Sequence, residues 1–190
     1  MSFKLIKLIF NVFAIAFVVF SFALMVFNSI KVDIRWYGIS TRLNFYNGQE
    51  EKSKILVDSL YRKASGYDIA FGKNGYNGSV LNQFIIILLG IGSVVLLLRF
   101  VFSFIEKFNT INVLLGLIAG WGLLIVGILI WFFPLFARFS NEILSIIKEK
   151  DTSGYEVIVT KTMTPTIFFA GLLTVFSGLA SLVSIHLRFD

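Results

Sequence analysis

The chain has 190 residues and a formal net charge of +6; 57% of its residues are hydrophobic, 16% are aromatic and none is cysteine. That apolar content excludes an ordinary soluble domain, and the lack of cysteine excludes disulfides, thiolate catalysis and Cys-ligated metal. Basic residues are interleaved with acids in the polar segments rather than gathered on one face, so the positive balance points to anionic lipid headgroups and not to nucleic acid.

In chain order, charges gather between four long apolar runs. These predict membrane-spanning helices over about 8–30, 80–105, 111–137 and 165–186, since a bilayer needs roughly 17–25 residues per span. Lys4 and Lys7 before the first run resemble the basic start of a signal peptide, but the run is longer than a signal core and Phe27-Asn28-Ser29-Ile30 is a poor cleavage site, so an uncleaved helix is expected. Residues 1–190 then form one membrane domain, with loops 31–79 and 138–164 on one side and both termini on the other. The same two lysines place the amino terminus in the cytoplasm. The loops nevertheless hold 12 of the Lys and Arg residues against five on the terminal side, a count set aside because folded loops can translocate despite their charge. The expected location is the plasma membrane, multi-pass, with the loops extracellular.

The first loop is patterned from its start. Val32, Ile34 and Trp36 alternate with Asp33, Arg35 and Tyr37; after Gly38 the alternation restarts in another phase through Ile39, Thr41, Leu43 and Phe45, predicting two strands closed by an Asn47-Gly48 turn. Residues 49–64 then read as a helix, with Glu50–Lys54 and Asp58–Arg62 in the favourable acid-before-base order. "SGYDIAFG" (65–72) reads as a further strand. After span two, Asn109-Thr110-Ile111-Asn112 predicts a turn and helix cap. After span three, a kink is expected at Pro134, and "FSNEILSIIKEK" reads as a helical continuation of that span. "YEVIVTK" (155–161) is β-branched and reads as a strand, and Pro165 suits the first turn of span four. The four strands are expected to pair in a small antiparallel sheet on the bundle, because unpaired backbone there is poorly satisfied.

Within the spans, small residues stand out: Gly116, Gly120, Gly122 and Gly127 in span three, and Ala170, Gly171, Thr174, Ser177, Gly178, Ser181 and Ser184 in span four. They suit close helix packing within the bundle or, alternatively, between copies; Gly116, Gly120, Gly171 and Gly178 are the candidate packing positions. No ionisable residue is expected deep in a span. Arg99 follows 19 residues of span two and is expected to snorkel at the interface. Asn11 is expected to make an interhelical hydrogen bond. Trp121 is expected to pack on the bundle or to line a cavity.

Chemistry is sparse. His186 is the one histidine, the acids show no Ca²⁺-loop spacing, and no phosphate-loop, dinucleotide or nucleophile-elbow motif occurs. No catalytic, cofactor or metal site is assigned, and no enzymatic activity is expected.

Four spans, a first loop of strands plus a short helix, a prolonged third span and a strand before span four together resemble the claudin-type tetraspan plan over the whole chain. Trp36-Tyr37-Gly38-Ile39 is similar to the W…GLW part of the claudin signature, whereas both signature cysteines are missing. Small bacterial four-span proteins share a similarity to "SGYDIAFG". The fold class expected is an α-helical transmembrane four-helix bundle with a small extracellular antiparallel sheet and short helix. The function expected is structural, adhesion or complex assembly with the bilayer, itself or another membrane protein as partners. Its candidate contact surface is Trp36, Tyr37, Tyr46, Tyr61, Tyr67 and Tyr76, which can equally be the core of the outer domain. The alternative is a small-molecule or lipid-handling protein or an accessory subunit of a transporter.

Overall fold

A computed structural model describes residues 3–44, 49–105 and 108–186. Four helices long and apolar enough to cross a membrane run through it: α1 (Phe3–Leu24), α3 (Val80–Phe102), α4 (Asn109–Phe132) and α6 (Pro165–His186). The short α2 (Gly66–Phe71) and the amphipathic α5 (Asn141–Thr152) lie in the two large loops. Successive spans alternate in direction, so the loops share one end, the cap side, and the chain termini share the other.

α6 is the most buried span and packs most extensively on α4 and α1, while α3 packs on α4 and less on α1. The α4–α6 contact is backbone against backbone. A Cβ on Gly178 would stand 2.7 Å from the Gly120 carbonyl oxygen, and a Cβ on Gly127 would stand 2.9 Å from that of Gly171. Lipid tails are as apolar as Leu, so such close approach, rather than a hydrophobic drive, brings the helices together. The α1–α6 contact adds hydroxyl bonds: Ser21 Oγ donates to the Ala170 carbonyl at 2.7 Å and Ser177 Oγ to that of Ala14 at 2.6 Å. Large side chains such as Phe20, Phe84, Ile118 and Trp121 point outward. Trp121 therefore faces the lipid, neither packed inside nor lining a cavity.

The cap sheet has the order β2-β1-β5, all antiparallel, with β1 (Asn28–Asn44), β2 (Gln49–Ser65) and β5 (Glu156–Met163). α1 ends at Leu24, short of Ile30, and a turn over 25–27 leads straight into β1. The alternation on either side of Gly38 belongs to one strand rather than two. The change of phase is absorbed on β2, where the register steps from Trp36–Asp58 to Tyr37–Leu56 and leaves Val57 as the extra residue of a bulge. Residues 49–64, read as a helix, are the strand β2. Their i,i+4 ion pairs are worth only about 0.2–0.5 kcal/mol each, against a ladder from Asn28–Ser65 to Asn44–Gln49 that satisfies the backbone of both segments. The turn expected at Asn47-Gly48 lies outside the described residues.

"GYDIAF" is helix rather than strand, and its cap explains why. Ser65 Oγ accepts from the Asp68 amide at 3.1 Å while Asp68 Oδ2 accepts from the Ser65 amide at 3.0 Å, a reciprocal capping box. Gly72, at φ +74°, closes the helix in the left-handed conformation. α4 does not run on into the second loop. Pro134 sits in a 3-10 turn (Phe133–Phe136), β4 (Arg138–Phe139) pairs with β3 (Tyr76–Asn77), and α5 starts afresh from a Ser140 cap. Asn109 is the first residue of α4, not its cap; Phe108 takes the cap position without a side-chain bond.

Gly178→Ala should lower the unfolding temperature of the detergent-solubilised protein, with a stability loss of about 1–3 kcal/mol for overpacking. Gly122→Ala, whose added methyl would meet nothing within 4 Å, should leave it unchanged.

Candidate functional site

On the cap, β1 sorts its side chains by parity. Ile30, Val32, Ile34 and Trp36 face inward and are buried; Lys31, Asp33, Arg35 and Tyr37 face out. Trp36 is only 2% exposed and carries Lys150 of α5 over its ring, with Nζ 4.9 Å from the centroid. The same Nζ donates to Asp58 Oδ2 on β2 at 2.8 Å. Lys150 therefore clasps α5 to the sheet across Trp36, and this contact holds the exposed Asp58 carboxyl below its ordinary pKa, helped by the Ser59 amide.

The six aromatic candidates separate. Trp36 and Tyr76 are interior, the latter against Phe139 with ring centroids 5.7 Å apart, and burial pushes the Tyr76 hydroxyl up to about 12. Tyr67 is half-buried, edge-on to Phe22. Tyr37 and Tyr61 share a shallow outer depression of about 290 Å³ with Asp33, Arg35, Ile158 and Thr160. Tyr46 lies outside the described residues. Of the five described, Tyr37 and Tyr61 carry the outer face. Beyond Tyr37, β1 has no β5 beside it, and the hairpin continues as a two-stranded arm of about seven residues per strand, roughly 20 Å at strand rise. At its base Ile39, Ile55, Leu56 and Val57 are each more than half exposed.

At the opposite end of the bundle, the side chain expected to snorkel does the reverse. Arg99 is 1% exposed and turned inward. Its Nε donates to Asn112 Oδ1 of α4 at 3.2 Å, and Nη1 donates to the Ser181 carbonyl at 3.0 Å and to Ser181 Oγ at 2.6 Å; Nη2 donates to Ser184 Oγ. Room for the guanidinium comes from Gly116, where a Cβ would stand 2.6 Å from Arg99 Cζ. A permanent cation is thus held on neutral oxygens from α4 and α6, and among the described residues no carboxylate lies within ion-pair distance of it. The sequence held one usable signal: Ser181 and Ser184, three apart, lie on one face of α6 one turn or less from Arg99's depth, but they read there only as small packing residues.

Beside this cluster opens a cleft of about 710 Å³ bordered by Leu5, Lys7, Leu8 and Asn11 of α1, Phe102–Ile105 at and just beyond the end of α3, and Asn109 and Asn112 of α4. Asn11 is 4% exposed, and neither amide atom meets a hydrogen-bond partner among the described residues, so the interhelical bond expected for it is not made. Among the described residues, no three of His, Cys, Asp and Glu come together as a metal site would require.

No protein-family model matches this chain. No curated protein matches it either.

Arg99→Lys keeps the charge but loses the planar fork that reaches three residues at once. It should cost about 1–3 kcal/mol of stability, read as a lower unfolding temperature. In a variant whose sole tryptophan is Trp36, fluorescence should hold steady from neutral pH down to the ordinary carboxylate value. Because the folded Asp58 pKa is depressed, the clasp is complete above that value and is lost only as pH falls through the lower, folded one.

Proposed function

We propose that this chain is a non-enzymatic membrane protein that assembles through its cap, and that the contact is made by the β1–β2 arm with a second copy. The observation that carries this is the arm itself. A two-stranded ribbon is marginally stable alone in water, and this one exposes Ile39, Ile55, Leu56 and Val57 where the third strand stops. A partner covering that stretch buries apolar surface and stiffens the ribbon. Tyr37 and Tyr61 extend the contact toward the base, where Tyr supplies large area at low entropy cost. The claudin-like arrangement of four spans and a sheet supports an adhesion or assembly role. We place the protein in the plasma membrane with its cap outside and both termini in the cytoplasm, on the strength of Lys4 and Lys7 in the first two turns of α1.

The cysteine-free chain makes the test direct. Ile55→Cys in native membranes should form a disulfide-linked dimer on mild oxidation, while Trp121→Cys on the lipid face should not. A strictly monomeric Ile55→Cys protein that still reacts with maleimide would sink the proposal, and a crosslink to another protein would replace the second copy as partner.

A further inference from the structure

The cleft at the terminal end of the bundle is independent of the arm. We infer that it is a binding site for the phosphate headgroup of an anionic phospholipid. Four features of the cleft point the same way. Its border carries a cation, Lys7, and behind Asn112 lies a second, Arg99, fixed to neutral oxygens. The start of α4 opens onto it through Asn109 and Asn112. The first-turn N–H groups of a helix have no partner within the helix, and Phe108 at the cap position offers none. Arg99 occupies Asn112 Oδ1, so the part of that amide left for a ligand is its N–H₂ donor pair. Asn11, 4% exposed and bordering the cleft, holds an amide that meets no hydrogen-bond partner among the described residues, and a buried amide in that condition is costly unless something satisfies it.

The rest of the cleft separates a lipid from a free anion. Leu5, Leu8, Phe102, Phe104 and Ile105 border the same space, and Leu5, Phe104 and Ile105 are exposed. An apolar border beside a polar, cationic floor suits a molecule with acyl chains and a charged head. A soluble phosphate would use the floor alone. Zwitterionic lipid carries its own cation and gains less from Lys7 and Arg99 than a lipid with net negative charge.

The full chain is reconstituted in nanodiscs of phosphatidylcholine alone or with phosphatidylglycerol, and unfolding temperature and retained lipid by native mass spectrometry are read together. Phosphatidylglycerol should raise the unfolding temperature of the wild type and remain bound after delipidation. In Asn11→Leu the retained lipid should fall at least fivefold, while stability in pure phosphatidylcholine is unchanged or higher, because an unpartnered amide has been replaced by an apolar side chain. Lys7→Gln is the second variant and should weaken retention in the same direction. Equal retention and equal stabilisation in wild type and both variants would overturn the assignment. So would full protection of the detergent-solubilised protein by inorganic phosphate, which would make the site one for a free anion.

Discussion

Everything in this molecule hangs on the place where α4 and α6 touch backbone to backbone. Gly120 meets Gly178 and Gly127 meets Gly171, in both helices seven residues apart, so the contact repeats after two turns and fixes one register. That register carries Ser181 to the Gly116 carbonyl, which accepts from its Oγ at 3.0 Å, and leaves beside Gly116 the space that the Arg99 guanidinium fills. At the other end it brings the exit of α4 and the entry of α6 together. β4 can then pair with β3, and β5 can add to β1.

The two ends handle charge in different ways. The cap ion pairs, Arg35–Asp33 and Lys54–Glu156, are exposed and worth little by themselves; Lys150–Asp58 matters because the lysine also covers Trp36. At the terminal end, Arg99 is held by oxygens that carry only partial charge, one from an amide, one from a carbonyl and two from hydroxyls. Burying a cation that way requires every acceptor to be in place at once. The cluster therefore ties α3, α4 and α6 together at the end away from the cap sheet.

The spans, β5 and the outline of the fold were legible because membrane length and β-branching are strong local signals. The start of β1 was legible too, as Val32, Ile34 and Trp36 are the residues that the sheet buries. β2 was misread because its charges, Glu50–Lys54 and Asp58–Arg62, fit helical spacing and outweighed the Asn47-Gly48 turn signal, which points to a strand pairing back on β1. α2 was misread in the opposite sense: the Ser65–Asp68 capping box was present in the sequence, but Tyr67, Ile69 and Phe71 imitate a strand. The terminal cluster was illegible for a different reason. Whether an arginine near a span's end reaches out to water or turns inward depends on which neighbour lacks a side chain, and only the packed helices show that Gly116 faces it.

The dependence of the Arg99 cluster on the α4–α6 contact is open to a direct measurement, the hydrogen exchange of arginine Nε–H groups by ¹⁵N NMR in micelles. The wild type should show one strongly protected Nε–H, identified by its loss in Arg99→Lys, and Gly178→Ala should speed its exchange. Surface-like exchange at every arginine, or a protected signal indifferent to Gly178→Ala, would contradict this account.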